Sequence, residues 1–213
     1  MQRIVATSIV LTSCLIPLTG CRSEPVQPAA MSFFITSAGP GDGGNLGGIA
    51  GADAHCQKLA SAAGAGSRRW HAYLSAPEGT GHEAVDARDR IGQGPWFNAK
   101  GVQVAANLGG LHGDNLLNAK NSLTERGDPV AASIHDILTG STPDGGLAGT
   151  TPDATCHGWT SNSGGHAVLG HHNRGGGGDR PTSWNSAHLS AGCSPKALDS
   201  TGGAGLFYCF AIN

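Results

Sequence analysis

The chain of 213 residues carries 13 Lys and Arg against 15 Asp and Glu, a formal net charge of −2 at pH 7. A nearly neutral chain without clustered basic residues does not suit binding to nucleic acid or to an anionic membrane surface. Its 35 glycines far exceed the average share of about 7% and follow no fixed period. This excludes collagen and predicts a loop-rich fold with many positive-φ positions.

The N-terminal segment resembles a bacterial lipoprotein signal peptide. Arg3 supplies the positive charge, and the apolar run Ile4–Leu18 is too short to span a bilayer comfortably. A Leu-Thr-Gly-Cys box follows and ends at Cys21. We therefore expect residues 1–20 to be removed, Cys21 to be lipidated and residues 21–30 to form a tether. The expected product is exported and held in the cell envelope, at the outer membrane, by this lipid anchor alone. An ordinary secretory signal with an incidental cysteine is the alternative.

The remaining residues, 31–213, are predicted to form one α+β domain with small antiparallel sheets. Strands are predicted at 31–36, 70–75, 135–140, 156–161, 167–169 and 206–212. Apolar residues at helical spacing predict a helix over 49–63, which Gly64 ends, and a second short helix over 86–91. Residues 101–131 show no clear periodicity.

Cysteines give the strongest constraint on the fold. Two of the six, Cys14 and Cys21, belong to the signal segment and its cleavage box. The other four are Cys56 in the first predicted helix, Cys156, Cys193, and Cys209 in the last predicted strand. An even number of cysteines in an exported domain indicates disulfides, and four cysteines allow three connectivities.

The order of elements resembles the C-type lectin-like superfamily: strand, cysteine-bearing helix, central strands, long irregular loop and cysteine-bearing terminal strand. Segments similar to endostatin-like domains are Gly47–Asp53 before Cys56, Arg69–Ser75, Cys156–Thr160, Gly192-Cys193 and Tyr208-Cys209. Ala87–Ile91 and Ser183–Ser186 resemble runs in bacterial exported proteins that are called lectins. The resemblance implies a C-type lectin-like fold over 31–213, with the disulfides Cys56–Cys209 and Cys156–Cys193.

Calcium-dependent members of that superfamily bind a sugar through a calcium ion, which needs about six to eight oxygen ligands. Trp184-Asn185-Ser186 matches two positions of the Trp-Asn-Asp motif, with Ser186 in place of the acidic ligand. Neither Glu-Pro-Asn nor Gln-Pro-Asp occurs in the chain. The sequence itself identifies no cofactor. Calcium is the one that the resemblance suggests, with Asp179 and Asn185 as its ligands.

Half of the ten histidines lie between the second and third of the four cysteines, where metal binding has to be considered. They are His157, His166, His171, His172 and His188. Neutral imidazole suits zinc, copper or nickel. However, the spacing matches no zinc signature, and His171 and His172 would point to opposite sides of an extended strand. We therefore favour hydrogen bonds from these rings to the glycine-rich backbone over a metal site.

His135-Asp136 resembles part of a catalytic pair. Neighbouring residues on a strand point to opposite faces, so the two side chains are expected to lie apart. Asp136 is therefore predicted to be a turn residue or a hydrogen-bonding residue.

The loop between Cys156 and Cys193 is the predicted binding region. Its predicted ligand-binding residues are Trp184, Asn185, His171, His172, Asn173 and His188. An indole face fits the apolar side of a pyranose. Trp184 is assigned to the ligand because polar residues flank it in a loop, whereas Trp159 is assigned to the core because it alternates in a predicted strand. The favoured function is binding of carbohydrate or another surface ligand by a lectin-like domain. A protein-binding or structural surface domain is the alternative. An enzyme is not expected, since Gly-x-Ser-x-Gly, His-Glu-x-x-His and a free mature cysteine are all missing.

Overall fold

The structure, a computed structural model, describes residues 30–79, 83–149 and 153–212 and contains eight strands and four helices in these ranges. The strands are β1 (Phe33–Ile35), β2 (Trp70–Ala72), β3 (Trp96–Phe97), β4 (Gln103–Ala105), β5 (Asp136–Leu138), β6 (Val168–His171), β7 (His188–Leu189) and β8 (Gly203–Ala211). The helices are α1 (Gly48–Ala62), α2 (Leu108–His112), α3 (Cys156–Trp159) and α4 (Pro195–Asp199), with a 3-10 turn at Ala87–Arg90. No helix in the described ranges is long and apolar enough to cross a bilayer. The predicted signal peptide, Cys21 and the tether up to residue 29 lie outside these ranges.

The C-terminal strand β8 lies inside the main sheet. The strand order is β1-β8-β5-β6-β7, and β2 also pairs with β8. Every pairing of named strands in the described ranges is antiparallel, as predicted, except that of β5 with β8, which is parallel. A strand covered on both faces is apolar at successive positions. This accounts for the continuous burial of residues 206–211. β3 and β4 form a separate two-stranded sheet.

Alternate side chains of β8 enter two apolar clusters, because successive residues of a strand point to opposite faces. Phe207 and Cys209 pack with Trp70 in the cluster under α1. Tyr208 and Phe210 belong to the second cluster. From α1, the residues buried against the sheet are Ala52, Cys56 and Ala60. Helical spacing of these small residues lets α1 lie close to β2 and β8.

The structure has two disulfides, and both have the connectivity implied by the resemblance. Cys56–Cys209 joins α1 to β8 with a Cα–Cα distance of 5.6 Å. Cys156–Cys193 closes a segment with a sequence separation of 37 residues. In the chain-entropy model these cross-links stabilise the fold by about 5 and about 4 kcal/mol, respectively. Much of the entropy lost by a glycine-rich chain is thereby removed from the unfolded state.

Most predicted elements are confirmed, and the α+β class with them. The predicted helix at 49–63 is α1, and the predicted strands at 31–36, 70–75, 135–140, 167–169 and 206–212 overlap β1, β2, β5, β6 and β8. The second predicted helix is the 3-10 turn. The sequence does not predict α2 or α4, because five residues give too little periodicity. Two helices were expected, and the described ranges contain four.

The predicted strand at 156–161 is wrong, since this segment begins with the left-handed turn α3. Cys156, His157 and Trp159 have φ of 48°, 55° and 68°, a conformation that costs about 1–2 kcal/mol per non-glycine residue. Two tertiary contacts hold the turn. Cys156 is in a disulfide, and the Trp159 indole N–H donates to the carbonyl of Ser75 at 2.9 Å. Trp159 is fully buried, which confirms its assignment to the core.

Candidate metal centre

A buried carboxylate lies at the start of β5. Asp136 is 1% exposed and lies in an interior strand, since β5 pairs with β8 on one side and with β6 on the other. No group in the described part of the chain makes a hydrogen bond to either of its carboxylate oxygens. A buried carboxylate without a hydrogen bond costs several kcal/mol, so native proteins pair such groups with donors or with ions. The expectation that Asp136 is a turn residue or a hydrogen-bonding residue is therefore wrong, since it begins a strand and its side chain makes no hydrogen bond.

Three histidine rings meet at Oδ1 of this carboxylate. The Nε2 atom of His171 lies 3.1 Å from Oδ1 of Asp136, that of His188 lies 3.3 Å away, and that of His135 lies 3.4 Å away. The Nε2 atoms of His171 and His188 are 3.0 Å apart. None of the three nitrogen–oxygen contacts has the alignment of a hydrogen bond. Three ring nitrogens thus converge on one carboxylate oxygen, and none of them makes a hydrogen bond to it.

Strand pairing explains why these side chains meet. Asp136 and His171 are directly opposite each other in the β5–β6 ladder, so their side chains share one face. His188 is opposite Leu169 in the β6–β7 ladder, which places it diagonally beside His171 on that same face. His135 precedes β5, with its backbone N–H donating to the carbonyl of residue 202. Because His135 is outside the strand, its ring can turn toward Asp136, and the prediction that the two lie apart is wrong.

Hydrogen bonds fix the tautomers of two rings. Nδ1 of His171 is 2.7 Å from the carbonyl oxygen of Pro181, and Nδ1 of His188 is 2.9 Å from that of Leu189. A carbonyl only accepts, so each Nδ1 carries the hydrogen and each neutral ring presents a lone pair at Nε2. Two lone pairs would then face each other at 3.0 Å beside a carboxylate. A cation shared by these atoms, either a proton or a metal ion, removes the repulsion.

The donor set suits a transition metal. Burial is the largest effect on His171 and lowers its pKa, so the ring stays neutral, which is the form that binds metals. Zinc–ligand bonds of about 2.0–2.2 Å place neighbouring ligands of a tetrahedron roughly 3.3–3.6 Å apart. The four contacts given above, of 3.0–3.4 Å, are close to this spacing. Three imidazoles and one carboxylate do not provide the oxygen shell that calcium needs.

Glycine backbone packs against all three rings. The contacts are Gly202 with His135, Gly176 with His171 and Gly178 with His188. A Cβ atom at residue 202 would lie 2.4 Å from Cε1 of His135, and one at residue 176 would lie 2.5 Å from Cε1 of His171. All three glycines also have positive φ. These positions therefore require glycine if the rings are to keep their places.

The structure places Trp184 and Asn185 in the interior. Trp184 is 3% exposed, with its ring centroid 4.7 Å from that of Tyr73 and 5.1 Å from that of Tyr208. The side-chain amide of Asn185 donates to the hydroxyl of Tyr73 at 2.9 Å and to the carbonyl oxygens of residues 142 and 143. A sugar could stack on Trp184 only if its neighbours moved away.

The other predicted ligand residues divide between the cluster and its surroundings. His171 and His188 belong to the cluster. His172 is buried beside it, with Nε2–H donating to the carbonyl of Ile134 at 3.0 Å, and burial lowers its pKa. The side-chain oxygen of Asn173 accepts from the backbone N–H of residue 175. Asp179, predicted as a calcium ligand with Asn185, is exposed, whereas Asn185 is buried.

Sequence reasoning missed His135 and Asp136 as members of this site. The available signal was a carboxylate at the start of an apolar strand, Asp136-Ile137-Leu138, because such a position buries a charge.

The arrangement can hold one cation between two ring nitrogens and a carboxylate oxygen, with a third ring beside them. The donor atoms of His135, Asp136 and His171 all lie within 4.8 Å of one another, and His188 extends the set at one side. Carbonyl acceptors on two of the rings provide the outer support typical of metal ligands. No model of a known protein family and no curated protein matches this chain.

Proposed function

We propose that this protein binds one divalent transition-metal ion, zinc or an ion of similar preference, through His135, Asp136, His171 and His188. The observation that supports this proposal is the convergence of three Nε2 atoms on one oxygen of a buried carboxylate that has no hydrogen bond. The ion would join residues before β5, in β5, at the end of β6 and in β7. It would therefore stabilise the glycine-rich loop between β6 and β7.

The fold around this centre is proposed to be C-type lectin-like. Three features support that reading: β1 pairs with β8 near the two ends of the described chain, a disulfide joins α1 to β8, and a second disulfide closes the segment that contains β6 and β7. Two disulfides also favour an oxidising compartment, in agreement with the expected export. Lipidation at Cys21 and the outer-membrane location are further parts of this proposal.

Binding of a carbohydrate or a surface protein is a second candidate function. Two of the proposed metal ligands, His171 and His188, lie in the segment between Cys156 and Cys193 that the resemblance assigns to ligand binding. Binding of a surface ligand by that segment would depend on the ion, because the ion would order the segment. Glycan-array binding with zinc, and again with a chelator, tests this candidate.

Metal analysis tests the proposed function directly. The purified protein is stripped with a chelator, reloaded with zinc, and examined by elemental analysis and titration calorimetry. We expect one zinc per chain, and a loss of affinity of about 100-fold or more in His171→Ala, since even outer partners of ligands contribute about 10–100-fold. His166→Ala is the matched control, because His166 lies in the same segment and contacts the carbonyl of Ser190 instead.

The result can also go against the proposal. Less than one zinc per chain at saturation, or equal affinity in His171→Ala and His166→Ala, would mean that the centre is not a metal site.

A further inference from the structure

We infer that the metal centre has one coordination position directed to solvent and that this position binds a small oxygen anion, of the carboxylate class. The inference rests on the proposed metal-binding function. It concerns the outer face of the ion, which the four protein ligands do not cover.

The ligands are buried unequally. The side chains of Asp136 and His171 are 0% exposed, whereas those of His135 and His188 are 26% and 17% exposed. The ring of His171 lies between the other two, with centroid distances of 4.9 Å to His135 and 5.0 Å to His188. In the described chain, the rings of His135 and His188 make no contact with each other. An ion bound by all four groups would have a closed inner side and an accessible outer side.

The segment that packs on His171 and His188 has no side chains. Residues 175–178 are four glycines, of which Gly176 and Gly178 pack on two of the ligand rings. A Cβ atom at Gly177 would meet nothing within 4 Å. Over the described ranges, the backbone N–H groups of residues 176–178 have no acceptor within the protein. The segment thus provides no covering side chain, and these N–H groups can bind solvent or an anion.

Charge favours an anion at this position. A divalent ion with one carboxylate and three neutral imidazoles retains one positive charge. Arg174 and Arg180 in the same loop donate to carbonyl, amide and hydroxyl oxygens rather than to carboxylates. Asp179 is the one acidic residue between Arg174 and Arg180. The loop and the ion together therefore attract a small anion, whereas a neutral diol gains nothing from this charge.

Cobalt substitution tests the inference. The stripped protein is loaded with Co²⁺, and its visible absorption is recorded as acetate is added. We expect saturable shifts of the d–d bands as acetate enters the coordination sphere, and no shift with methyl mannoside. His166→Ala should behave as the wild type. His188→Ala, which removes one exposed ligand, should respond at lower acetate concentration.

The outcomes separate the two proposals. If Co²⁺ binds stoichiometrically but the bands do not respond to acetate, the site is closed and this inference is wrong, while the metal-binding proposal stands. A response to methyl mannoside and not to acetate would also overturn it. If Co²⁺ does not bind in wild-type protein, the proposed function itself fails.

Discussion

Replacing Asp136 by asparagine is expected to stabilise the metal-free protein and to remove most of the stabilisation that zinc provides. In the metal-free protein, the buried carboxylate has no hydrogen bond, and its Oδ1 lies 3.1 Å from the Nε2 atom of His171. An amide of the same shape carries no charge, so its burial without a partner costs less free energy. Relieving an unsatisfied buried polar group contributes about 1–3 kcal/mol, so the free energy of unfolding should rise by about this amount.

Zinc should reverse the advantage of the variant. At a zinc concentration of about 1,000 times Kd, binding raises the free energy of unfolding of the wild type by about 4 kcal/mol. Loss of the charged ligand weakens affinity by about 100-fold or more, which reduces that increment to about 1.4 kcal/mol or less. The increment supplied by zinc, rather than the absolute stability, is the quantity to compare.

Urea unfolding measures both effects. Wild type, Asp136→Asn and the control Asp179→Asn, whose residue is exposed in the adjacent loop, are unfolded with chelator and with zinc. The control should match the wild type in both conditions. The reasoning is refuted if Asp136→Asn lowers stability in chelator, because the carboxylate would then have a favourable partner. Equal zinc increments in all three proteins would refute the assignment of Asp136 as a ligand.

Three further perturbations test other parts of the structure. Gly202→Ala should weaken zinc binding by about tenfold or more in calorimetry, because its Cβ would displace a ligand ring; Gly177→Ala, with open space around its Cβ, should not. Burial lowers the pKa of His112, so the unfolded state takes up the proton first and stability falls as pH drops below about 6.5. His112→Gln should reduce the pH dependence of the urea midpoint between pH 5 and pH 8 by the contribution of roughly one proton. An unchanged slope would contradict the role given to His112. Replacing Cys156 and Cys193 by serine should lower the free energy of unfolding by about 4 kcal/mol, and a loss below about 1 kcal/mol would contradict the chain-entropy account.

The elements α1 and β8 were predictable because their residue patterns are local. The apolar residues of α1 repeat at helical spacing, and the apolar run of β8 supplies residues to both apolar clusters. Such patterns appear in the sequence without knowledge of neighbours. The left-handed turn at Cys156 could not be predicted in this way, because a disulfide and the burial of Trp159 impose a conformation that these residues do not prefer alone.

The candidate site was only half predictable. His171 and His188 were singled out by their density in one segment, but that segment does not reveal which face each ring takes. The positions of Asp136 and His135 depend on the β5–β6 register and on a strand that begins one residue later than expected. A register is set by the pairing of strands far apart in sequence, so no local window of residues contains it.

The central position of β8 has a consequence for the time at which this protein can fold. β1, β2 and β5 all pair with β8, and the disulfide partner of Cys56 lies 153 residues further along the chain. Chains are synthesised from the N-terminus at about 5–20 residues per second, so the earlier strands emerge long before the strand that joins them. Until residues 203–211 are synthesised, Phe34 and Trp70 lack the strand against which they pack. The pairing of β1, β2 and β5 into this sheet therefore cannot be completed until residues 203–211 are available.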